Sequence, residues 1–98
     1  MPARLPDLVL PLKRKWFDAI QAGIKLEEYR LDNDYWRKRL IGKTFGRIIL
    51  MLGYPKRDDH AKRIIKPWRG YTMKTIESQE WNDEPRKVFA IKLTDRHL

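Results

Sequence analysis

Along this chain the spacing of apolar residues changes period several times, and each change marks an element. From Asp7 to Leu12, DLVLPL, alternate positions are leucine, so Leu8, Leu10 and Leu12 face one way and predict a strand. Pro11, with no amide to donate, fits best at an edge or an end of it. Lys13, Arg14 and Lys15 then open a stretch in which Trp16, Phe17 and Ile20 share one helical face, and Gly23 is the left-handed stop. From Leu26 the period returns to two. Glu28 and Arg30 lie on one face of this strand, and Glu27, Tyr29 and Leu31 lie on the other. Asp32 and Asn33 are N-cap candidates for a second helix through Tyr35, Trp36 and Leu40 to Gly42, with Arg37, Lys38 and Arg39 on its exposed side. Tyr35 and Trp36 are neighbours, so only one of them points inward.

After a turn from Lys43 to Gly46, GRIILML (Gly46 to Leu52) is the most apolar run and predicts a strand buried on both faces, at the middle of the fold. Gly53, Tyr54 and Pro55 end it, and KRDDHAK (Lys56 to Lys62) is a charged connection. Ile64 and Ile65 predict a strand that Pro67 interrupts, and Arg69-Gly70 is a turn before a strand from Tyr71 to Ile76. Ser78 to Pro85, SQEWNDEP, is a polar connection anchored by Trp81. In RKVFAIKL (Arg86 to Leu93), Phe89, Ile91 and Leu93 share one face, and Val88 and Ala90 share the other. Strands paired across long separations with two short helices predict an α+β fold, a small β-barrel, in a single domain over residues 1–98.

Composition narrows the chemistry. A hydrophobic fraction of 42% is that of a globular chain. No stretch approaches the roughly 18 apolar residues of a membrane span. Pro2, Pro6, Asp7 and Pro11 break up the N-terminal apolar residues, so no secretory leader is expected and the protein reads as cytoplasmic. With no cysteine, disulfides, thiol nucleophiles and thiolate zinc sites are excluded. His60 and His97 are far apart, and Asp58, Asp59 and His60 read as a solvated turn rather than an ion site; no metal and no cofactor is expected. The net charge of +9 is concentrated: between Arg37 and Lys74 there are twelve basic residues and two acids. Such asymmetry points to a polyanionic partner.

Gly23, Lys25, Glu28 and Arg30 form the octet G-x-K-x-x-E-x-R. A carboxylate two positions from a guanidinium on one strand face, with an ammonium at the mouth of the turn, can bind a phosphate or a base edge, and it can equally be a structural ion pair at a rim. In context, WFDAIQAGIKLEEYRL resembles the signature of ASCH domains, small relatives of the PUA RNA-binding fold. An apolar strand ending in Leu12-Lys13, a Trp-Phe helix opening and a final apolar strand extend the resemblance over nearly the whole chain.

The resemblance implies a PUA-like β-barrel with two or so short helices, a partner that is single-stranded RNA or a nucleotide, and a basic cleft around Lys25, Glu28 and Arg30. It also implies that Arg69 and Tyr71, in a segment where Trp68, Arg69 and Tyr71 interleave rings and charge, border that cleft. Lys13 and Lys15, at the junction of first strand and first helix, complete the candidate binding set with Lys25, Arg30, Arg69 and Tyr71.

A binding module is the first reading. The alternative is a metal-independent ribonuclease, an activity described for some ASCH proteins, in which Lys25 and Glu28 are catalytic. Glu28 would be the base, Lys25 and Arg30 would stabilise charge on phosphorus, and Tyr54 or Tyr71 would stand near the leaving oxygen. A third activity of ASCH proteins, amidohydrolysis of N4-acetylcytidine, uses a lysine, a threonine and a glutamate. Lys25 matches the lysine, but Glu28 stands where the threonine belongs, so Thr44, Thr72 or Thr75 would have to replace it. A carboxylate held between two cations is a weak base, which favours binding.

Overall fold

A computed structural model describes residues 4–94; His97 lies outside them. The order is β1 (Asp7–Leu12), α1 (Arg14–Gln21), β2 (Glu27–Leu31), α2 (Asp34–Leu40), β3 (Arg47–Leu52), β4 (Arg63–Pro67), β5 (Tyr71–Ile76) and β6 (Arg86–Lys92). Short 3-10 turns occupy His60–Lys62 and Gln79–Trp81. The result is a small α+β fold whose strands form two three-stranded sheets, β1-β3-β4 and β2-β6-β5.

In the first sheet β1 runs parallel to β3, with Leu8 beside Ile48 and Leu10 beside Leu50, and β4 closes the other side of β3 in antiparallel register. β1 is an edge, which accommodates Pro11. The second sheet is antiparallel throughout. Glu28, Ile91 and Tyr71 stand in one row across it, and Arg30, Phe89 and Met73 in the next. The core is a single cluster of the inward leucines of β1, Ile48 and Leu50 of β3, and Phe89 and Ile91 of β6, closed by Phe17 and Ile20 of α1 and Leu40 of α2.

Strand β3 departs from its expected double burial. Ile48 and Leu50 are fully buried, but Ile49 and Met51 on the opposite face are only half-buried, and β3 is the middle of one sheet. The strand buried on both faces is β6, where Val88, Phe89, Ala90 and Ile91 are all inaccessible. Its outward residues are small and are flanked in register by larger ones, Ala90 by Tyr29 and Val88 by Leu31 and Lys74. Longer neighbours overhang shorter ones.

The helices place the functional strand. Past the end of α1, Gly23 turns at φ +76°, and the amides of Ile24 and Lys25 both return to the Ala19 carbonyl, at 3.0 and 3.1 Å. That fixes how Lys25 approaches β2. The α2 helix starts where the Asn33 side chain accepts from the Trp36 amide at 3.0 Å. Trp36 packs against the core while Tyr35 stays exposed, with the Arg39 guanidinium 3.3 Å from its ring centroid. Among the described residues no helix is long and apolar enough to cross a membrane.

Candidate functional site

Glu28 is the one buried charged side chain among the described residues, only 6% exposed. The two-residue period of β2 sets Arg30 beside it, and Arg30 Nη2 donates to Glu28 Oε2 at 2.7 Å and to the Pro11 carbonyl at 3.0 Å. The second bond ties the end of β2 to β1 of the other sheet. Lys25 approaches from the turn, its Nζ 3.7 Å from Glu28 Oε1. The octet therefore folds into a Lys25, Glu28, Arg30 triad, with the carboxylate between the cations.

Aromatic rings frame the triad. Lys25 Nζ lies 5.0 Å from the Trp16 ring centroid and 4.4 Å from that of Tyr29, and the Arg30 guanidinium lies 5.1 Å from that of Trp36. Burial pulls the Lys25 ammonium below the ordinary lysine pKa, against the opposing pull of the Glu28 carboxylate. Burial and the nearby Glu27 carboxylate push the Tyr29 phenol above its usual value. The Arg30 Nε donor is buried with no hydrogen-bond partner among the described residues.

These groups line a cavity of about 540 Å3. Three of the four tryptophans, Trp16, Trp36 and Trp81, face it. Trp81 arrives on the polar connection after β5, held where Trp16 Nε1 donates to Glu80 Oε1 at 3.0 Å and Lys13 Nζ pairs with the same oxygen at 3.5 Å. The Ser78 side chain accepts from the Glu80 amide and shapes that turn. The lining is balanced in charge: Lys13, Lys25 and Arg30 against Glu28, Glu77 and Glu80.

Of the sequence candidates, Lys13, Lys25, Glu28 and Arg30 come together here. Lys15 is exposed, its Nζ 4.6 Å from the Trp16 centroid, on the outside of that ring's helix rather than in the cavity lining. Arg69 lines a second cavity that shares Trp16, Lys25 and Tyr29 with the first. Tyr71 shares Glu28's row in the sheet but packs edge-on against Phe89, ring centroids 5.0 Å apart, and lines neither cavity. Tyr54 is 87% exposed and lines neither cavity, as is true of Thr44, Thr72 and Thr75.

Of the twelve basic residues between Arg37 and Lys74, none lines the first cavity. Arg37 is bound to Asp32 at 2.6 Å, Arg47 to Asp7 at 2.9 Å, Lys62 to Asp59 at 3.3 Å and Lys74 to Glu27 at 2.7 Å. No group of three His, Cys, Asp or Glu side chains among the described residues is placed to hold a metal ion. Sequence reasoning missed the roles of Trp16, Trp36, Trp81 and Glu80, which meet only through tertiary packing. The chain matches no protein-family model, no curated protein and no solved structure.

Proposed function

We propose that this chain is an RNA-binding domain of the ASCH type, cytoplasmic, with its two sheets as the halves of a PUA-like barrel, and that it takes an unpaired nucleotide of single-stranded RNA into the cavity around Lys25, Glu28 and Arg30. The observation that carries this reading is the joining of three indoles with both donors and acceptors in about 540 Å3, a volume typical of small-molecule sites. Indole rings stack on bases, and unpaired bases offer free edges to charged and polar side chains. Lys25 and Arg30 supply donors, and Glu28, Glu77 and Glu80 supply acceptors.

Equal numbers of cations and carboxylates suit a neutral heterocycle better than a phosphate. A cationic ligand is disfavoured, because Trp16 and Trp36 already carry Lys25 and Arg30 at their rings. Binding is favoured over cleavage because Glu28 is held on both oxygens, by Arg30 and by Lys25, and neither candidate tyrosine lines the cavity.

The test is incubation of the protein with end-labelled single-stranded RNA, with and without EDTA, beside Lys25→Ala and Glu28→Gln variants. The expected result is intact RNA shifted on a native gel, with the shift weakened about tenfold by Lys25→Ala, the loss of one charge-assisted contact. Equal affinity of wild type and Lys25→Ala would remove the octet from the site. Cleavage that survives EDTA and vanishes in Glu28→Gln would make the protein a metal-independent ribonuclease instead.

A further inference from the structure

One wall of the cavity around the octet differs from the others. Glu77, Ser78, Glu80 and Trp81 line it from the connection between β5 and β6, while the remaining lining, apart from Ile76 at the end of β5, comes from β1, α1, β2, α2 and the joins between them. On that larger part the charges and rings are already engaged. Lys25 Nζ lies 3.7 Å and Arg30 Nη2 2.7 Å from Glu28, and the same two cations stand 5.0 and 5.1 Å from the Trp16 and Trp36 ring centroids. Glu80 is engaged too, by Trp16 Nε1 at 3.0 Å and Lys13 Nζ at 3.5 Å. Glu77 is the exception. It is exposed, it lines the cavity, and among the described residues it has neither a hydrogen bond nor an ion pair. Trp81, four positions on, is the one indole facing this cavity with no described cation at its ring. A loop between strands thus brings an unspent carboxylate and an unspent ring to the same cavity, and loops are where a scaffold varies its specificity.

We infer that Glu77 is the residue that selects the base, and that the base it selects is guanine; this rests on the reading of the cavity as a base site. An ionised carboxylate can only accept, so it reads N–H groups. Guanine alone among the four RNA bases sets two of them side by side, N1–H and the N2 amino group, on the edge that a single strand leaves unpaired, and the pair matches the two oxygens of one carboxylate. Adenine and cytosine place a ring acceptor beside their amino group, which repels the second oxygen, and uracil holds its N3–H between two carbonyls. The Trp81 ring supplies a stacking face. The Ser78 oxygen accepts from the Glu80 amide at 3.3 Å, and its hydroxyl proton is left to donate to guanine O6. An organic cation also suits a carboxylate beside an indole, but the charge of +9 on the chain opposes the approach of a cation and does not oppose a neutral ring.

The experiment is calorimetric titration of the whole chain, wild type and Glu77→Gln, with the 5′-monophosphates of guanosine, inosine, adenosine, cytidine and uridine, and with ribose 5-phosphate. Inosine keeps N1–H and lacks the N2 amino group. Wild type is expected to bind the guanosine nucleotide at least about tenfold more tightly than those of adenosine, cytidine and uridine, with inosine in between. Glu77→Gln turns one acceptor oxygen into a donor, so it is expected to weaken guanosine nucleotide binding about tenfold and to bring all five nucleotides within about threefold of one another. Its melting temperature is expected to match that of wild type, because Glu77 has no described partner to lose. Equal binding of the five by wild type, a preference for another base, or a guanosine preference that survives Glu77→Gln overturns the assignment of Glu77 and leaves the base site standing. No binding by any nucleotide, or ribose 5-phosphate binding as tightly as all of them, overturns the base site and the assignment together. Spermidine that displaces the guanosine nucleotide at equal concentration overturns the assignment in favour of an organic cation at Glu77 and Trp81.

Discussion

At the scale of single residues the site turns on a carboxylate taken out of water. Burying a charge is costly unless it is paired, and the two partners of Glu28 contribute unequally. Arg30 binds it at 2.7 Å, with the same nitrogen also on the Pro11 carbonyl and the guanidinium beside Trp36. Arg30→Ala therefore leaves the buried carboxylate with only the longer contact to Lys25, at 3.7 Å, and should cost about 2–3 kcal/mol in denaturant unfolding. Arg30→Lys should recover little, since an ammonium lacks the planar fork. Lys25 behaves in the opposite way. Its pKa is lowered because burial disfavours the ammonium, so the unfolded chain holds that proton more tightly and Lys25's contribution to stability rises with pH between the lowered and the ordinary value. Affinity for an anionic ligand moves against stability: the ammonium is lost as pH rises through the lowered pKa, while exposed lysines are still charged. Lys25→Met keeps the aliphatic stem between Trp16 and Tyr29, so the variant should fold normally, bind more weakly, and lack the alkaline loss of affinity seen in wild type. The check is affinity against pH for both proteins; parallel declines would mean that Lys25 does not meet the ligand.

At the scale of elements, short helices act as mounts for rings. The α2 helix has only seven residues and one side-chain cap, from Asn33 to the amide of Trp36, the residue whose ring faces the cavity. Asn33→Ala should cost about 1 kcal/mol of stability and also weaken ligand binding, because cap and ring belong to one residue pair. Urea unfolding read beside RNA titration tests this; lost stability with full affinity would separate the cap from the site. What was legible in the sequence follows the same division between local and distant. Glu28 and Arg30 are two apart on a strand, and Lys25 is three before Glu28 across a glycine turn, so chain geometry alone brings them together. Leucine alternation in β1 and the helical face of Phe17 and Ile20 were legible for the same reason. The bond from Trp16 to Glu80 spans 64 positions, and no periodicity carries it. Nor could composition tell β3 from β6. Both runs are apolar on two faces, and which one is covered twice depends on the size of the residues in neighbouring strands, which pairing alone decides.

At the scale of the whole molecule the charge of +9 and the balanced first cavity belong to different tasks. The basic surplus between Arg37 and Lys74 reads as a mark of polyanion binding, and none of it lines the cavity around the octet. Part is consumed in ion pairs with Asp7, Asp32, Asp59 and Glu27, and the Arg63 guanidinium is spent on the carbonyls of Lys56 and Asp59 in the connection before β4. Lys38, Lys43, Lys56 and Arg57 remain exposed. If those cations serve RNA, they serve the backbone outside the cavity, and salt should separate the two contributions. A ribonucleoside monophosphate, held by stacking and balanced charge, should show a shallow dependence of affinity on salt. A ten-nucleotide single strand should lose about 0.7 in the logarithmic slope for each phosphate that a lysine or arginine neutralises. Three to five such contacts correspond to a fall of about ten- to a hundredfold between 50 and 200 mM salt. Lys38→Glu with Lys43→Glu should flatten the slope for the ten-nucleotide strand and leave monophosphate affinity unchanged. Identical slopes for the two ligands would mean that the cavity alone sees RNA and that the surplus charge of this chain acts on something else.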